Sequence, residues 1–325
     1  MGCDLCVSVA DKCNFSCIYC SQLTMENYTP QEYKSLDVPS SDLIEIVKKV
    51  ASLVHPYTIS ITGGEPLLNP QLPVIAKELK PFAQRMELTT NGSLYDSKKW
   101  EALQNVFSRV KVSVDTMNSL NFKKITGTKN IEYLHFIINM IKHLKEKHEN
   151  VAINCVILKD YISDLLSLAD FSLKEEIKLQ LFEFTYNEHR KEIWKKQFMP
   201  LTSIIPLFEQ KYGIINKEIT SHGDYYKIML KNSYIRFRAS SNKTMRSSCC
   251  VNCPHYCFEG LLFLRISRQG WISVCPFANR YLGALITKNM SLDEIWHKIY
   301  PMVNALQTAK ICFNSLDTFL KKRQI

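Results

Sequence analysis

The first two thirds of the chain alternate between two hydrophobic periods. Short apolar runs rich in β-branched residues predict strands, and the segments between them carry apolar residues at helical spacing. The predicted strands are Leu5–Ala10, Thr58–Thr62, Met86–Thr90, Val110–Val114, Val151–Leu158 and Lys178–Phe184. The predicted helices are Ser41–Leu53, with Ser40 or Ser41 as its N-cap, and Leu72–Leu79, Ser97–Val106, Ile131–Lys147 and Ile162–Leu173. This order predicts an α/β fold with a parallel sheet, and six βα units fit a partial (β/α)6 barrel.

The pattern changes after about residue 210. It then predicts a hairpin at Asp224–Ala239 and a second hairpin around Gly270, formed by Leu261–Ile266 and Trp271–Val274. A helix that begins with a capping box is predicted at Ser291–Gln307. We therefore divide the chain into residues 1–212, which hold the partial barrel, and a small C-terminal domain, residues 213–325.

Composition narrows the class of protein. The 325 residues are 46% hydrophobic and 22% charged, which is typical of a globular chain. Twelve cysteines without a secretory signal favour metal ligation in a reducing cytosol, so we expect a cytoplasmic protein with no membrane partner. The net charge of +10 is compatible with an anionic substrate or an acidic peptide, but no nucleic-acid motif accompanies it.

Three cysteines close to the N-terminus are the strongest chemical signal. Cys13, Cys17 and Cys20 have the spacing Cys-x3-Cys-x2-Cys, which gives three thiolates on one short loop. A cubane [4Fe–4S] cluster needs four ligands, so three thiolates leave one iron open to bind a small molecule. Zinc is the alternative, although zinc sites usually pair their cysteines as Cys-x2-Cys with a distant second pair.

A second motif follows the predicted strand Thr58–Thr62. It reads Gly63-Gly64-Glu65-Pro66, in which two glycines let the backbone approach a ligand closely. Glu65 can accept a hydrogen bond from an ammonium group, and Pro66 makes the exit from the turn rigid. Carboxyl ends of parallel strands gather ligands, and both motifs lie at such ends.

Together these motifs resemble the radical S-adenosylmethionine (SAM) superfamily, whose signature is Cys-x3-Cys-x-aromatic-Cys with Tyr19 here at the aromatic position. The resemblance implies that Cys13, Cys17 and Cys20 hold a catalytic [4Fe–4S] cluster whose open iron binds SAM. One electron then cleaves SAM to a 5′-deoxyadenosyl radical that abstracts hydrogen from the substrate. An electron donor such as flavodoxin or ferredoxin is implied. The implied SAM contacts are Tyr19, Gly63, Gly64, Glu65, Pro66, Thr90, Ser113 and Asn154.

A second group of cysteines lies in the C-terminal third. Cys257, Gly270 and Cys275 have the spacing of the hairpin in the auxiliary-cluster twitch and SPASM domains of radical SAM enzymes, and Cys312 alone does not complete the SPASM pattern. The resemblance implies a twitch-like domain with a second [4Fe–4S] cluster, held by Cys250, Cys253, Cys257 and Cys275. Cys249 is a further candidate, and a four-cysteine zinc site is the alternative.

Several stretches, among them Leu88–Gly92 and Ile153–Lys159, are similar to the GTP 3′,8-cyclases of molybdenum cofactor biosynthesis. Lys159 and Arg265 match the substrate-binding positions of that family. Three of its basic positions are instead Cys6, Asn69 and Phe263, which predicts weak binding of GTP because a triphosphate needs several cationic partners.

We therefore expect a radical SAM enzyme that abstracts hydrogen from a peptide or natural-product substrate, with the second cluster assisting. One alternative is a genuine or divergent GTP 3′,8-cyclase of molybdopterin biosynthesis, whose substrate is a small molecule. Another is a metal-binding regulatory protein without catalysis, which the intact residues Cys13, Cys17, Cys20 and Glu65 disfavour.

Overall fold

The structure is a computed structural model that describes residues 3–20, 33, 35–147, 150–186, 188–220, 223–230, 232–238, 244–246, 250, 261–275, 282–312 and 320. The strands in this part of the chain are β1 (Asp4–Ser8), β2 (Thr58–Thr62), β3 (Arg85–Thr90), β4 (Arg109–Ser113), β5 (Val151–Ile157), β6 (Lys178–Glu183), β7 (Asn216–Thr220), β8 (Gly223–Leu230), β9 (Ser233–Arg238), β10 (Thr244–Arg246), β11 (Phe263–Ile266), β12 (Trp271–Ser273), β13 (Gly283–Leu285) and β14 (Lys310–Cys312). The helices are α1 (Ser40–Val54), α2 (Leu72–Leu79), α3 (Ser97–Glu101), α4 (Ser119–Thr126), α5 (Glu132–Glu146), α6 (Ile162–Lys174), α7 (Lys191–Gln197), α8 (Ile205–Tyr212) and α9 (Leu292–Gln307).

A single, mostly parallel sheet organises the molecule. The six strands predicted from the sequence are present and pair in chain order from β1 to β6, all in parallel. The predicted α/β class with a parallel sheet is confirmed. Pairing among the described strands runs as one path from β13 to β14, and β7 pairs with β8 beside this path. The partial (β/α)6 barrel with its twitch-like domain stays a prediction.

Strands from the C-terminal third extend the sheet at both edges. β11 pairs in parallel with β1, and Cys6 lies opposite Arg265. β9 pairs in parallel with β6, and antiparallel β8 follows it. Residues beyond 212 therefore share the sheet of the first part, while the division into domains 1–212 and 213–325 stays a prediction.

The two faces of the sheet differ in chemistry. Leu181 on β6 and Phe237 on β9 are fully buried among helix residues, and the Phe237 ring meets the Phe208 ring of α8 edge-on at 5.2 Å. Alternate residues must point to the opposite face of a strand. We call this opposite side the polar face, and from β4 to β9 it carries Ser113, Asn154, Gln180, Arg236 and Arg238.

Local sequence chemistry explains where several helices begin and end. The capping box of α9 is confirmed, because Ser291 Oγ accepts from Glu294 N at 3.2 Å and Ser291 N donates to Glu294 Oε2 at 2.7 Å. The predicted serine cap of α1 is wrong, since Pro39 occupies the N-cap without a side-chain hydrogen bond. No described helix is long and apolar enough to cross a membrane.

Four helices depart from the predicted pattern, because α3 is shorter than predicted and α4, α7 and α8 were not predicted. α3 ends at Glu101, five residues before the predicted end, and Asn105 in the following turns has a positive φ of 60° that a helix does not allow. α4 was not predicted at all. It begins where the Asn118 side chain accepts from two backbone N–H groups, and it ends at Gly127 with a φ of 68°.

Candidate functional site

The loop that carries Cys13, Cys17 and Cys20 leaves β1 and lies against the C-terminal end of α4. Ser16 N donates to Thr126 O at 2.8 Å, and Ile18 N donates to Ile125 O at 2.9 Å. These contacts use carbonyl groups that a helix leaves without internal partners at its C-terminus. A Cβ atom on Gly127 would lie 2.2 Å from Ser16 Oγ and 3.3 Å from Ser16 O, and the φ of 68° at this position favours glycine.

The Gly-Gly-Glu-Pro turn holds the other side of the same loop. Gly64 N donates to Ala10 O at 2.6 Å, and Glu65 N donates to Lys12 O at 2.9 Å. A Cβ atom on Gly64 would lie 2.1 Å from Lys12 O and 2.9 Å from the backbone nitrogen of Cys13. The sequence predicted that these glycines let the backbone approach a ligand closely. In the structure they let the turn approach the backbone of the cysteine loop.

Glu65 is buried and its carboxylate is engaged by the protein. It accepts from Thr90 Oγ1 at 2.6 Å, from Asn91 N at 2.7 Å and from Leu67 N at 3.0 Å. Burial raises the pKa of Glu65, and these hydrogen bonds oppose the rise. The Thr90 hydroxyl also accepts from Gly92 N at 3.0 Å. These contacts favour positioning roles for Glu65 and Thr90, and their predicted contacts with SAM stay predictions.

The turn after β3 touches the first cysteine of the loop. Asn91 Nδ2 lies 3.7 Å from Cys13 Sγ and donates to Asn14 Oδ1 at 3.0 Å. Asn14 Nδ2 in turn donates to Ser93 Oγ at 2.8 Å. This amide network was missed from the sequence, although Asn91 and Ser93 directly follow a predicted strand.

The three thiols share one neighbourhood. Burial raises the pKa of Cys17 well above its usual value, and Asp115, Cys20 and Cys13 raise it further. Cys13 is exposed, while Cys17 and Cys20 are partly buried. No group of three or more described His, Cys, Asp or Glu side chains is arranged around a single metal ion. A cubane binds each thiolate through a different iron, so its ligands need to be near one another without meeting at one ion, and the role of these three thiols as cluster ligands stays a prediction.

Tyr19 connects the cysteine loop to the sheet. Its hydroxyl donates to Asp115 Oδ2 at 2.6 Å, and Asp115 Oδ1 accepts from Val156 N at 2.8 Å. Burial raises the pKa of Asp115 to about 6, against the lowering effect of these two hydrogen bonds. The Tyr19 ring also meets the Phe184 ring edge-on at 6.5 Å. The aromatic residue of the signature thus links the loop to the ends of β4, β5 and β6.

The remaining predicted SAM contacts lie near the same end of the sheet. Ser113 and Asn154 are register partners on β4 and β5, and Asn154 Oδ1 accepts from Gln180 Nε2 at 3.0 Å. Pro66 is buried and begins a short 3-10 turn, Pro66–Leu68. The structure therefore brings the cysteine loop, the glycine turn and these two polar side chains to one end of the parallel strands.

The predicted substrate residues are placed apart from one another. Lys159 is exposed at the start of the 3-10 turn Lys159–Tyr161, which follows β5. Arg265 lies on β11, where its Nη1 is 3.8 Å from Cys6 Sγ and its guanidinium is 5.8 Å from the centre of the Phe263 ring. Two of the replaced basic positions, Cys6 and Phe263, therefore flank the one arginine that remains.

Asn69, the third replaced position, has a local structural role. Its Nδ2 donates to Val9 O at 2.8 Å, and its Oδ1 accepts from Gln71 N at 2.9 Å. The side chain thus links the end of β1 to the turn before α2.

The second cysteine group is described only in part. Cys250 is partly buried and Cys275 is buried, whereas Cys249, Cys253 and Cys257 lie outside the described residues. The hairpin of β11 and β12 that leads to Cys275 is confirmed, with Gly270 at a φ of 82° in its turn. The second [4Fe–4S] cluster stays a prediction.

Comparison with known families decides what these motifs mean. The model of the Radical SAM superfamily matches residues 7–171, which is just over half of the chain. The chain belongs to the radical SAM superfamily. Membership in this superfamily implies a [4Fe–4S] cluster and SAM as cofactors. Cys13, Cys17 and Cys20 lie inside the matched region, and they stay the predicted ligands of that cluster.

Among curated proteins, the chain is 27% identical to a GTP 3′,8-cyclase of Clostridium perfringens (strain SM101 / Type A) over 273 residues, which cover 83% of this chain and 79% of the relative. It is also 27% identical to a probable GTP 3′,8-cyclase of Pyrococcus horikoshii over 278 residues, covering 83% and 82%.

Solved structures share the fold at lower identity. SuiB of Streptococcus suis bound to precursor peptide SuiA has a TM-score of 0.61 at 16% identity, covering 94% of this chain and 67% of SuiB. The structure of anSMEcpe with bound AdoMet has a TM-score of 0.57 at 16% identity, covering 92% and 82%. At this identity the likeness concerns the fold alone.

Proposed function

We propose that this protein is a radical SAM enzyme that acts on a purine-nucleotide-like small molecule. When bound, the cluster and SAM supply a 5′-deoxyadenosyl radical that can abstract hydrogen from a substrate. The observation that carries the substrate class is the similarity to GTP 3′,8-cyclases over 83% of this chain. This is our alternative interpretation from the sequence, and the relatives favour it over peptide modification.

The protein's own residues would prepare the site in three ways. Cys13, Cys17 and Cys20 would hold the cluster, on a loop that both α4 and the glycine turn keep in place. Tyr19 and its partner Asp115 would fix the orientation of that loop. The polar ends of β4 and β5 would receive SAM beside the glycine turn, because parallel sheets bind ligands at their carboxyl ends.

The departures from the cyclases argue against GTP itself as the substrate. Cys6, Asn69 and Phe263 carry no charge at three positions that are basic in the cyclases. At about 1.5–3 kcal/mol for each hydrogen bond to a charged group, the loss of even two weakens triphosphate binding by several powers of ten. We therefore expect GTP to bind weakly unless other cations replace these contacts.

Peptide modification is the second candidate. Its support is the fold shared with SuiB, which is solved bound to the precursor peptide SuiA. At 16% identity that likeness does not distinguish one substrate from another.

The other parts of the function follow the resemblance to radical SAM enzymes. Cys250, Cys253, Cys257 and Cys275 would hold a second [4Fe–4S] cluster in a twitch-like C-terminal domain. A flavodoxin or ferredoxin in the cytoplasm would reduce the first cluster.

Anaerobic turnover tests this proposal. The reconstituted protein is mixed with SAM, dithionite and, separately, GTP, GMP, guanosine or an acidic peptide, and 5′-deoxyadenosine is quantified by chromatography. We expect a phosphorylated nucleotide to raise deoxyadenosine formation above the substrate-free rate and to yield a new nucleotide-derived product by mass spectrometry. Stimulation by the peptide alone would establish the second candidate, and no SAM cleavage at all would leave a metal-binding protein without catalysis.

A further inference from the structure

Two arginines on β9 lie on the polar face beside the candidate SAM site. Arg236 and Arg238 alternate with Ile235 and Phe237, which are fully buried on the helix-covered side. Both arginine side chains therefore point away from the helices, towards the same side as Asn154 on β5. A charged pair on this face does not contribute to the apolar core, and it lies on the side of the sheet that carries the predicted SAM contacts Ser113 and Asn154.

Register places Arg238 at the level of the cysteine loop. Phe182 on β6 is paired with Val156 on β5 and with Arg238 on β9. The backbone nitrogen of Val156 donates to Asp115, and Asp115 accepts from Tyr19 of the cysteine loop. Arg238 thus belongs to the same row of the sheet as the contact that anchors the loop, and Arg236 belongs to the next row, beside Gln180.

Aromatic rings hold both guanidinium groups. The Arg238 guanidinium lies 5.6 Å from the ring centre of Phe182 and 5.4 Å from that of Tyr225. The Arg236 guanidinium lies 5.2 Å from the ring centre of Tyr225 and 5.1 Å from that of Tyr234. Stacking on a ring face orients a guanidinium and so fixes the plane in which its N–H groups donate.

We propose that Arg236 and Arg238 bind the phosphate groups of the substrate. The inference rests on the proposed function, since it takes the substrate to be a phosphorylated nucleotide whose negative charges are bound by the arginines of β9. It also accounts for the neutral residues Cys6, Asn69 and Phe263, because cations on β9 approach the site from the opposite flank of the parallel strands to β11.

Glu218 on β7 forms an ion pair with Arg236 and would compete with an anionic ligand for it. Its Oε2 lies 3.3 Å from Arg236 Nη2 and 3.6 Å from Lys227 Nζ. The Arg236 and Glu218 side chains are 24% and 37% exposed, so this ion pair is open to solvent and to exchange with an incoming anion. Arg238, one row closer to the cysteine loop, is the residue whose loss we expect to matter more.

Calorimetry with inorganic tripolyphosphate tests the proposal without turnover. The probe is titrated into anaerobically reconstituted, SAM-loaded wild-type protein and into Arg238→Gln, Arg236→Gln and Arg238→Lys. We expect Arg238→Gln to weaken binding about ten-fold to a hundred-fold, as the loss of a charge-assisted hydrogen bond does, and Arg238→Lys to recover part of it. Citrate is titrated in parallel, and equal affinity for citrate would overturn the assignment to phosphate.

Arg85→Gln is the matched control. Arg85 also stacks on a tyrosine, 5.6 Å from the Tyr57 ring centre, but it begins β3 at the opposite end of the sheet. We expect its binding of tripolyphosphate to stay within two-fold of wild type. Iron content and thermal midpoint are measured for each variant, so that a folding defect is recognised.

A measurement on the wild-type protein tests the proposal even if a variant fails to fold. Phenylglyoxal modifies accessible arginines, and peptide mass spectrometry should show that tripolyphosphate shields Arg236 and Arg238 but not Arg85. Absence of binding to wild type, or unchanged binding by Arg238→Gln, would overturn the proposal. Binding through Arg238 without nucleotide-dependent turnover would instead refute the proposed function and leave the anion site standing.

Discussion

Gly64 should be the most sensitive glycine of the candidate site. In Gly64→Ala the new methyl group would lie 2.1 Å from Lys12 O, 2.4 Å from Lys12 C and 2.9 Å from Cys13 N. All three atoms belong to the backbone of the cysteine loop, so no side chain can rotate away. The loop and the turn must separate, which strains or breaks the hydrogen bonds from Gly64 N and Glu65 N.

The expected cost can be estimated from this geometry. Overpacking costs about 1–3 kcal/mol, and each lost backbone hydrogen bond costs about 1 kcal/mol. The total is about 2–5 kcal/mol. For 325 residues the entropy of unfolding is about 0.7 kcal/mol/K, so the thermal midpoint of the iron-free protein should fall by about 3–7 °C.

Iron loading separates this local effect from general instability. The control is Gly213→Ala, because a Cβ atom at Gly213 meets nothing within 4 Å but the φ of 93° makes alanine strained. Both variants should be less stable than wild type, yet only Gly64→Ala should lose iron and SAM binding after reconstitution. Wild-type iron content and SAM affinity in Gly64→Ala would refute the reasoning.

Three further predictions concern the clusters and the sheet. Replacing Cys13, Cys17 and Cys20 together with Ala should remove about four irons and all SAM cleavage while the protein stays soluble, and deoxyadenosine formation at the wild-type rate would contradict this. Reconstituted wild type should hold about eight irons, whereas about four irons with stoichiometric zinc, and an unchanged spectrum after loss of Cys257 and Cys275, would favour a zinc site. Burial alone would raise the pKa of Glu87, but Lys111 at 2.5 Å and Arg109 at 3.6 Å lower it overall. Ionised Glu87 therefore stabilises the fold above its ordinary pKa, and this stabilisation is lost as the pH falls through its lowered pKa. Glu87→Gln should therefore flatten the acid side of a plot of thermal midpoint against pH. A profile unchanged from wild type would refute this role of Glu87.

Local patterns predicted the elements whose causes are local. The β-branched composition of Thr58–Thr62 favours an extended backbone, and the capping box at Ser291 is complete within four residues. Both elements are present as predicted. α4 could also have been found, since Asn118 and Gly127 are a typical N-cap and C-terminal glycine. It was missed because its apolar spacing is short and sits between two longer helical patterns.

Contacts between distant segments could not be predicted in the same way. Nothing near Glu65 in the sequence indicates that its carboxylate accepts from Thr90 and Asn91, which come from the next strand. The hydrogen bond from Tyr19 to Asp115 joins positions 96 residues apart. A motif indicates which chemistry is possible, whereas the partners of each side chain depend on the pairing of whole strands.

The late pairing of β11 with β1 and of β9 with β6 also has a consequence for biosynthesis. β1 leaves the ribosome early, but its partner β11 follows about 260 residues later, and β6 must likewise wait for β9. Unpaired strand edges attract other chains, and pairings this distant in sequence form slowly. A nascent chain of the first 212 residues would present two such edges at once, so chaperones that shield strand edges should improve the yield of this protein when it is expressed in a foreign host.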